Sequence, residues 1–438
     1  MKPKHVKKLL SSEIKSIAEN PQEFCTNPKS DFTRNRKLPF ERVLTGTIGM
    51  GGGSLSNELL DMFNCSADAP SSSAFVQQRS KIKPEAFESV FKSFSQKISE
   101  EFNESMSVLA VDGSDIQIAT NPDDKDSYFP SKNGKKPYNL LHLNALYDLK
   151  HGIYSDAVIQ KAKEHNEHKA LVDMVDRSNI PLALVIADRG YESYNNMAHI
   201  QEKGWKFLIR IKDGNVGIKS SLILPTSDSF DVDINLNLTR KQTNETKLLL
   251  QEKNNYKFVS SNQTFDYLPP KNKKAEPAKF YKLSFRIVRF SISEDSFETV
   301  LTNLDKDMYP PEKLKELYAS RWGIETSFRE LKYTVGLLNF HSKKVMLIQQ
   351  EIYARMIMYN FTEMITSHVV IKKKQRKYTY KANFSIAVHT CRLFYNGKTT
   401  SPDLEAIIAR NLIPIRPDRH RKRNLTVKVF KGFLYRVS

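Results

Sequence analysis

The N-terminal stretch reads as helical: apolar residues recur at helical spacing at Leu55, Leu59, Leu60, Met62 and Phe63, directly after Ser54, a residue type that caps helix N-termini. A turn over 65–70 follows, and Ser71-Ser72-Ser73 opens a second helix through Ala74, Phe75, Gln78 and Arg79. Two short helices about a tight turn, with Gln77, Gln78, Arg79, Lys81 and Lys83 on the second, have the form of a helix-turn-helix DNA reader. A purely structural hairpin carries the same pattern. The preceding Gly49-Met50-Gly51-Gly52-Gly53 lacks the Gly-Lys-Ser/Thr ending of a phosphate-binding loop and follows no clear strand, so it reads as a flexible linker.

From about residue 106 the period changes. Residues 107–111 are a short apolar run ending at Asp112-Gly113, and 138–147 and 152–159 are extended segments with a turn between them. Helical spacing returns over 165–177 through Ala170, Leu171, Met174 and Val175. Residues 182–187 are a near-continuous apolar strand ending at Asp188-Arg189-Gly190; 195–203 is helical and stops at Gly204; 205–211 is another buried-type strand. Three strands, a helix, a strand, a helix and a strand predict an α/β fold, a mixed sheet with helical crossovers in its parallel part. Residues 213–308 alternate in the β manner, as in Phe230-Asp231-Val232-Asp233-Ile234, and read as an inserted β-rich subdomain. Helices resume at Pro310-Pro311-Glu312, where proline suits a first helical turn. The chain divides into a helical N-terminal region (1–105), an α/β core (106–340, with the insertion at 213–308) and a helical C-terminal region (341–438).

Composition narrows the class. A chain of 438 residues with 39% hydrophobic side chains supports two or three folding units and is not mainly disordered. Lys and Arg number 68 against 49 Asp and Glu, a net charge of +19. The excess is uneven: residues 1–105 carry 15 basic and 13 acidic side chains, 106–340 carry 33 and 31, and 341–438 carry 20 and 5. Almost all of it therefore sits in the final quarter, most densely at 372–377 and 416–423. A solvated basic face or a polyanionic partner such as DNA accounts for such a region. Cys25, Cys65 and Cys391 lie far apart, which disfavours a zinc ribbon, an iron–sulfur site or a disulfide scaffold. The first twenty residues lack a signal-peptide core, and the longest apolar run, 180–187, is far short of the ~20 residues that span a bilayer. The expectation is a soluble cytoplasmic protein with no membrane partner.

Candidate chemistry starts from two carboxylates at predicted strand ends, Asp112 and Asp188, because sites in open α/β sheets form beyond the carboxyl ends of strands. Asp115 competes with Asp112, which is preferred because it directly ends the apolar run. On the helix after Pro311, Tyr318, Arg321, Glu325 and Lys332 fall within an arc of about 60°, while Glu330 lies on another face. Alone, Arg321–Glu325 would read as an exposed i,i+4 ion pair. Three acids and two cations also suit phosphodiester chemistry. Two Mg²⁺ ions about 3.5–4 Å apart would stabilise the attacking and leaving oxygens. Asp112, Asp188 and Glu325 are hard donors for them, and Arg321 and Lys332 would grip phosphates.

Those residues resemble the bacterial insertion-sequence transposases of the DDE type whose signature is Tyr-x2-Arg-x3-Glu-x6-Lys. The signature stands here as Tyr318, Arg321, Glu325 and Lys332 within YASRWGIETSFRELK, and the two acidic motifs stand as VDGSDI around Asp112 and ADRGYES around Asp188. The segments RKLPFERV, SSSAFVQQRSKI and IRPDRHRKR are also of the family's kind, so the resemblance touches nearly the whole chain. It implies a ribonuclease-H-like catalytic core with a β-rich insertion before the helix bearing the glutamate. Asp112, Asp188 and Glu325 would be the catalytic and metal-binding residues, with two Mg²⁺ ions (or Mn²⁺) per site. Tyr318, Arg321, Lys332, Arg189, Arg79 and Lys81 would contact DNA. The implied reaction is hydrolysis at transposon ends followed by attack of the freed 3′-hydroxyl on target DNA, carried out by a homodimer on double-stranded terminal repeats. The chain departs from relatives that hold a flipped base with an insertion tryptophan, since Trp205 and Trp322 both lie outside the insertion, where Tyr256, Tyr267 and Phe280 offer other π faces. A nuclease of the same fold, or a DNA-binding protein descended from a transposase without its chemistry, are the rival readings.

Overall fold

The computed structural model describes the chain except residues 35, 133, 135, 213–216, 269–279, 295, 370–378, 416–433 and 436–438. The basic runs at 372–377 and 416–423 lie outside the described residues.

The central strand β1 (Ser107–Ile118) is twelve residues long, so it does not end at Asp112 as the apolar run suggested. The short β2 (Tyr128–Phe129) pairs with β3 (Tyr138–Asp148). β3 lies antiparallel to β1, and β4 (Ile153–Lys161) lies antiparallel to β3. After the helix α6 (Glu167–Arg177), β5 (Ala183–Ala187) runs parallel to β1 on its other side. After α7 (Tyr194–Glu202), β6 (Lys206–Arg210) runs parallel to β5. Three antiparallel strands followed by two parallel ones through helical crossovers is the predicted α/β, ribonuclease-H-like arrangement.

The insertion does not fold apart from this sheet, contrary to the subdomain reading. Its strands β7 (Phe230–Thr239), β8 (Tyr256–Phe258), β9 (Tyr281–Ser293) and β10 (Ser296–Thr302) extend the sheet to ten strands. β10 pairs antiparallel with β6, β9 with β10 and β7 with β9, while β8 runs parallel to β7. The reason is the free edge of β6: its buried Phe207, Leu208 and Ile209 need a hydrogen-bonded neighbour, and the β9–β10 hairpin supplies one. Leu236, Leu238, Leu283, Phe285 and Ile287 consequently share one core with Val185, Phe207 and Ile209. The six-residue α8 (Asn244–Leu249) connects β7 to β8.

One sheet face carries α6 and α7. The other is covered by α5 (Pro84–Glu100), α9 (Pro311–Ser320), α10 (Trp322–Tyr333) and α11 (Val345–His368). Helices from both chain ends join the same layer: α1 (Pro3–Glu19), α2 (Phe40–Gly49), α12 (Phe384–Tyr395) and α13 (Ser401–Arg410). Asn360 of α11 seals the outer strand, accepting from the Tyr154 backbone N–H at 2.9 Å and donating to the Tyr154 carbonyl at 2.8 Å. No helix among the described residues is long and apolar enough to cross a membrane.

The predicted helical hairpin forms as α3 (Leu55–Met62) and α4 (Ser72–Arg79), with Ser54 and Ser71 accepting the capping hydrogen bonds from Asn57 and Ala74. Its reading as a DNA contact through Arg79 is corrected. Arg79 is fully buried, donating from Nε to Gln350 Oε1 at 2.8 Å and from Nη2 to Glu351 Oε1 at 2.8 Å and the Leu347 carbonyl at 2.5 Å. Burial would raise the Glu351 carboxyl, but Arg79, His341 and Arg355 hold it down to about 2. An aligned carboxylate on α11 thus takes Arg79 into the core. Lys81 remains partly exposed, 4.0 Å from Asp31 and donating to Gln78 at 3.3 Å. The glycine segment is no flexible linker either. Gly51 and Gly53 donate to the Glu58 carboxylate at 2.9 and 2.8 Å, and the buried Arg355 donates to the Met50 and Gly51 carbonyls.

Candidate active site

β1 and β5 are hydrogen-bonded through Ala110 and Ile186, and the same register carried two residues further sets Asp112 opposite Asp188. Parallel neighbours lie ~4.8 Å apart, so the two acids meet where β5 ends and β1 continues alone beside it. Alternation along β1 separates the competing aspartates. Ala110, Ile116 and Ile118 pack with α10 and α11, whereas Leu109 and Val111 pack with α6 and α7. Asp112 therefore leaves the face that carries α10, and Asp115 leaves the opposite face, where it meets His142 at 2.8 Å. Local backbone fixes both acids: Gly113 N–H donates to Asp112 Oδ1 at 2.9 Å and Gly190 N–H to Asp188 Oδ1 at 2.8 Å.

The signature helix is interrupted at its arginine. A tight turn at Arg321, with hydrogen bonds from Arg321 N–H to the Tyr318 carbonyl and from Ile324 N–H to the Arg321 carbonyl, divides α9 from α10. The four residues do not share one open stripe. Tyr318 is 5% exposed and packs on Leu184, Ile186 and Leu208, which corrects its assignment as a DNA contact; its ring lies 5.9 Å from the Arg321 guanidinium and supports it. Arg321 donates to Glu325 Oε1 at 2.9 Å and stands 3.8 Å from Asp112 Oδ2, so it bridges two of the acids. Lys332 donates to the Asp115 carbonyl at 2.7 Å and ties α10 to β1. Trp322, 50% exposed, lies beside the same guanidinium.

Burial drives the Asp112 carboxyl up to about 6; the Gly113 N–H and Arg321 oppose the rise, and Asp188 and Glu325 add to it. Asp188 and Glu325 are thus near enough to Asp112 for their charges to be felt there. Among the described residues no three His, Cys, Asp or Glu side chains stand close enough to hold a metal ion as they are. The donor set nonetheless fits a hard divalent cation: it is all carboxylate, it is short of positive charge, and a guanidinium already occupies the gap between Asp112 and Glu325. A folded value above the ordinary 3.8 means that ionised Asp112 costs stability above pH 6. With a chelator present, Asp112→Asn is expected to stabilise the protein at pH 7.5 by on the order of 2 kcal/mol. The gain, read from urea unfolding, should vanish by about pH 4, where both forms are neutral. A destabilised variant at pH 7.5 would refute this.

A cleft of about 960 Å³ opens beside Asp188 between α6, α7 and the insertion. Arg189, Lys169, Lys212 and Lys257 line it together with Asp173, Glu192 and Asp266. Arg189 directly follows Asp188 and lines this cleft. The sequence reading missed Lys169, Lys212 and Lys257, and it missed His142 and Glu167, which bond to each other against Gly113. A histidine within the apolar run of β3 and an acid just after a helix cap were the only local signals.

A sequence profile described as "Transposase DDE domain" matches residues 103–361. No curated protein sequence matches the chain. Among solved structures, a piggyBac transposase synaptic complex with hairpin DNA aligns at a TM-score of 0.44 and 11% identity, covering 95% of this chain and 86% of that one.

Proposed function

The chain belongs to the DDE transposase family, whose domain spans residues 103–361, and we propose that it cuts DNA at the ends of a mobile element and joins the freed 3′ ends to target DNA. The observation that carries this reading is the convergence of Asp112, Asp188 and Glu325 on one rim of the sheet with Arg321 between them. Asp112, Asp188 and Glu325 would hold two Mg²⁺ or Mn²⁺ ions, which supply charge stabilisation at the attacking and leaving oxygens. Arg321, which stands between Asp112 and Glu325, would offer its fork to a phosphate of the scissile strand. Lys332 keeps α10 against β1 and so holds Glu325 level with Asp112. Arg189, Lys169 and Lys212 line the adjoining cleft, interleaved with Asp173, Glu192 and Asp266, and would meet phosphates of the adjoining strand one by one. Two copies would be needed to bring two ends together.

Incubating the purified chain with end-bearing duplex and Mg²⁺, then mapping nicks and joined products, tests the reading. Nicks at the element's terminus and 3′ ends covalently joined to a second duplex are expected. Binding without strand cleavage would leave a DNA-binding descendant instead, and nicks without joining a nuclease. Because residues 341–438 carry 20 basic against 5 acidic side chains, affinity for any duplex should fall steeply with salt. An expected loss of at least about tenfold between 50 and 200 mM, measured by fluorescence anisotropy, separates phosphate-driven binding from a salt-insensitive contact.

A further inference from the structure

Glu167 opens α6 directly after its cap Asn166, whose side chain accepts from Lys169 N–H at 3.0 Å. Its carboxylate enters between the two glycines that follow the catalytic aspartates. A Cβ at Gly113 would stand 2.6 Å from Glu167 Oε1 and would strike His142 Nε2; a Cβ at Gly190 would stand 3.0 Å from Asp188 Oδ1 and 3.8 Å from Glu167 Oε2. The missing side chain at Gly113 thus leaves room for Glu167, whereas at Gly190 the tight neighbour is Asp188 and Glu167 is in ordinary contact. A Cβ at Gly190 would touch both Asp188 Oδ1 and Glu167 Oε2, which sets these two carboxylates beside each other. The Tyr191 hydroxyl is pushed far up, by burial first and then by Glu167, Asp112 and Asp188.

His142 fixes the glutamate. Its Nε2 lies 3.0 Å from Glu167 Oε1 and its Nδ1 2.8 Å from Asp115 Oδ1. Two carboxylates facing both ring nitrogens require both to donate, which makes the ring an imidazolium. Burial alone would lower its pKa, but the hydrogen bonds to Asp115 and Glu167 outweigh it and bring the ring to about 9; the His142 hydrogen bond in turn holds Glu167 below its ordinary value.

Resting on the function proposed above, we infer that Glu167 is a fourth carboxylate of the cation site, a positioning residue that His142 orients toward the water shell of the ion held by Asp112 and Asp188. Mg²⁺ keeps several of its waters, and each needs an acceptor. An acid one layer behind the direct ligands supplies one, and removing such a partner typically lowers metal affinity 10–100-fold.

The test titrates Mn²⁺ into the full chain by calorimetry and, separately, measures end nicking across Mn²⁺ concentration. Glu167→Gln, which keeps shape and loses charge, is expected to weaken Mn²⁺ binding about tenfold and to move half-maximal nicking to correspondingly higher Mn²⁺, with rate largely restored at saturation. Glu167→Asp should fall between, and His142→Gln should weaken binding in the same direction. A purely structural role would lower the unfolding temperature in chelator yet leave the Mn²⁺ affinity of the folded protein unchanged, and that result overturns the assignment. If Glu167→Gln does not fold, Glu167→Asp and His142→Gln decide by the same two readouts. Asp188→Asn separates the role of Glu167 from that of the site as a whole. Loss of Mn²⁺ in Asp188→Asn with wild-type affinity in Glu167→Gln removes Glu167 only. A wild type that neither binds Mn²⁺ nor nicks DNA removes the functional reading itself.

Discussion

Asp188→Asn and Glu325→Gln should each lower the rate of end cleavage by about three orders of magnitude or more while the variants still bind duplex DNA. Each change keeps side-chain shape and deletes one of the charges that would hold the divalent ions, whose stabilisation of the transition state is worth several kcal/mol. The environment makes the loss specific to chemistry. Glu325 lies one helical turn beyond Arg321 on α10, and the core beneath it is made by Ile324, Phe328 and Leu331, which neither substitution touches. Asp188 caps the short turn after β5 through Gly190 N–H, an acceptor role that asparagine can fill through its own oxygen. Quantitative gel assays of nicked product at fixed Mg²⁺, paired with anisotropy for binding, give both numbers. Cleavage that persists near the wild-type rate in both variants would show that these acids do not perform the reaction.

Arg79→Ala should cost about 3–5 kcal/mol of stability, the range found when one partner of a buried ion pair is removed. The guanidinium is fully buried against Gln350, Glu351 and the Leu347 carbonyl, and its deletion leaves Glu351 a buried charge supported by His341 and Arg355 alone. Lys81→Ala, by contrast, removes a partly exposed cation and should lie within roughly 0.5 kcal/mol of wild type. Urea midpoints measure both. The double change Arg79→Met with Glu351→Gln should recover a large part of the loss, since the unpaired charge is then gone. If Arg79→Ala unfolds at the wild-type urea concentration but binds DNA more weakly, the residue is a DNA contact after all and its burial is misplaced.

Several features of the site could be read without coordinates because they are local. Strand and helix periods over 107–211 set the order of elements, and polar residues that break apolar runs marked Asp112 and Asp188. The spacing of Arg321 and Glu325 is one helical turn whichever way the helix points. Other features could not, because each depends on what another part of the chain brings. Tyr318 and Arg321 are three residues apart, yet one is buried on Leu184 and Ile186 and the other faces Asp112, because the chain turns tightly between α9 and α10. The β-rich insertion alternates like an independent sheet, and only the unfilled edge of β6 recruits it into the main one. Arg79 stands on a helix whose polar pattern suits a surface, and Glu351, 272 positions away, draws it inside.

The sequence by itself determined the charge of the final quarter, the order of strands and helices over 107–211 and the one-turn spacing of Arg321 and Glu325, since these follow from residue type and near-neighbour spacing. Tertiary structure alone decided which face of β1 each aspartate leaves, which cations are spent on holding carboxylates, and that Glu167 and His142 stand behind the site. A side chain's period places it on a face. What it meets there is set by packing between distant segments, where burial and charge pairing are worth more than local preference.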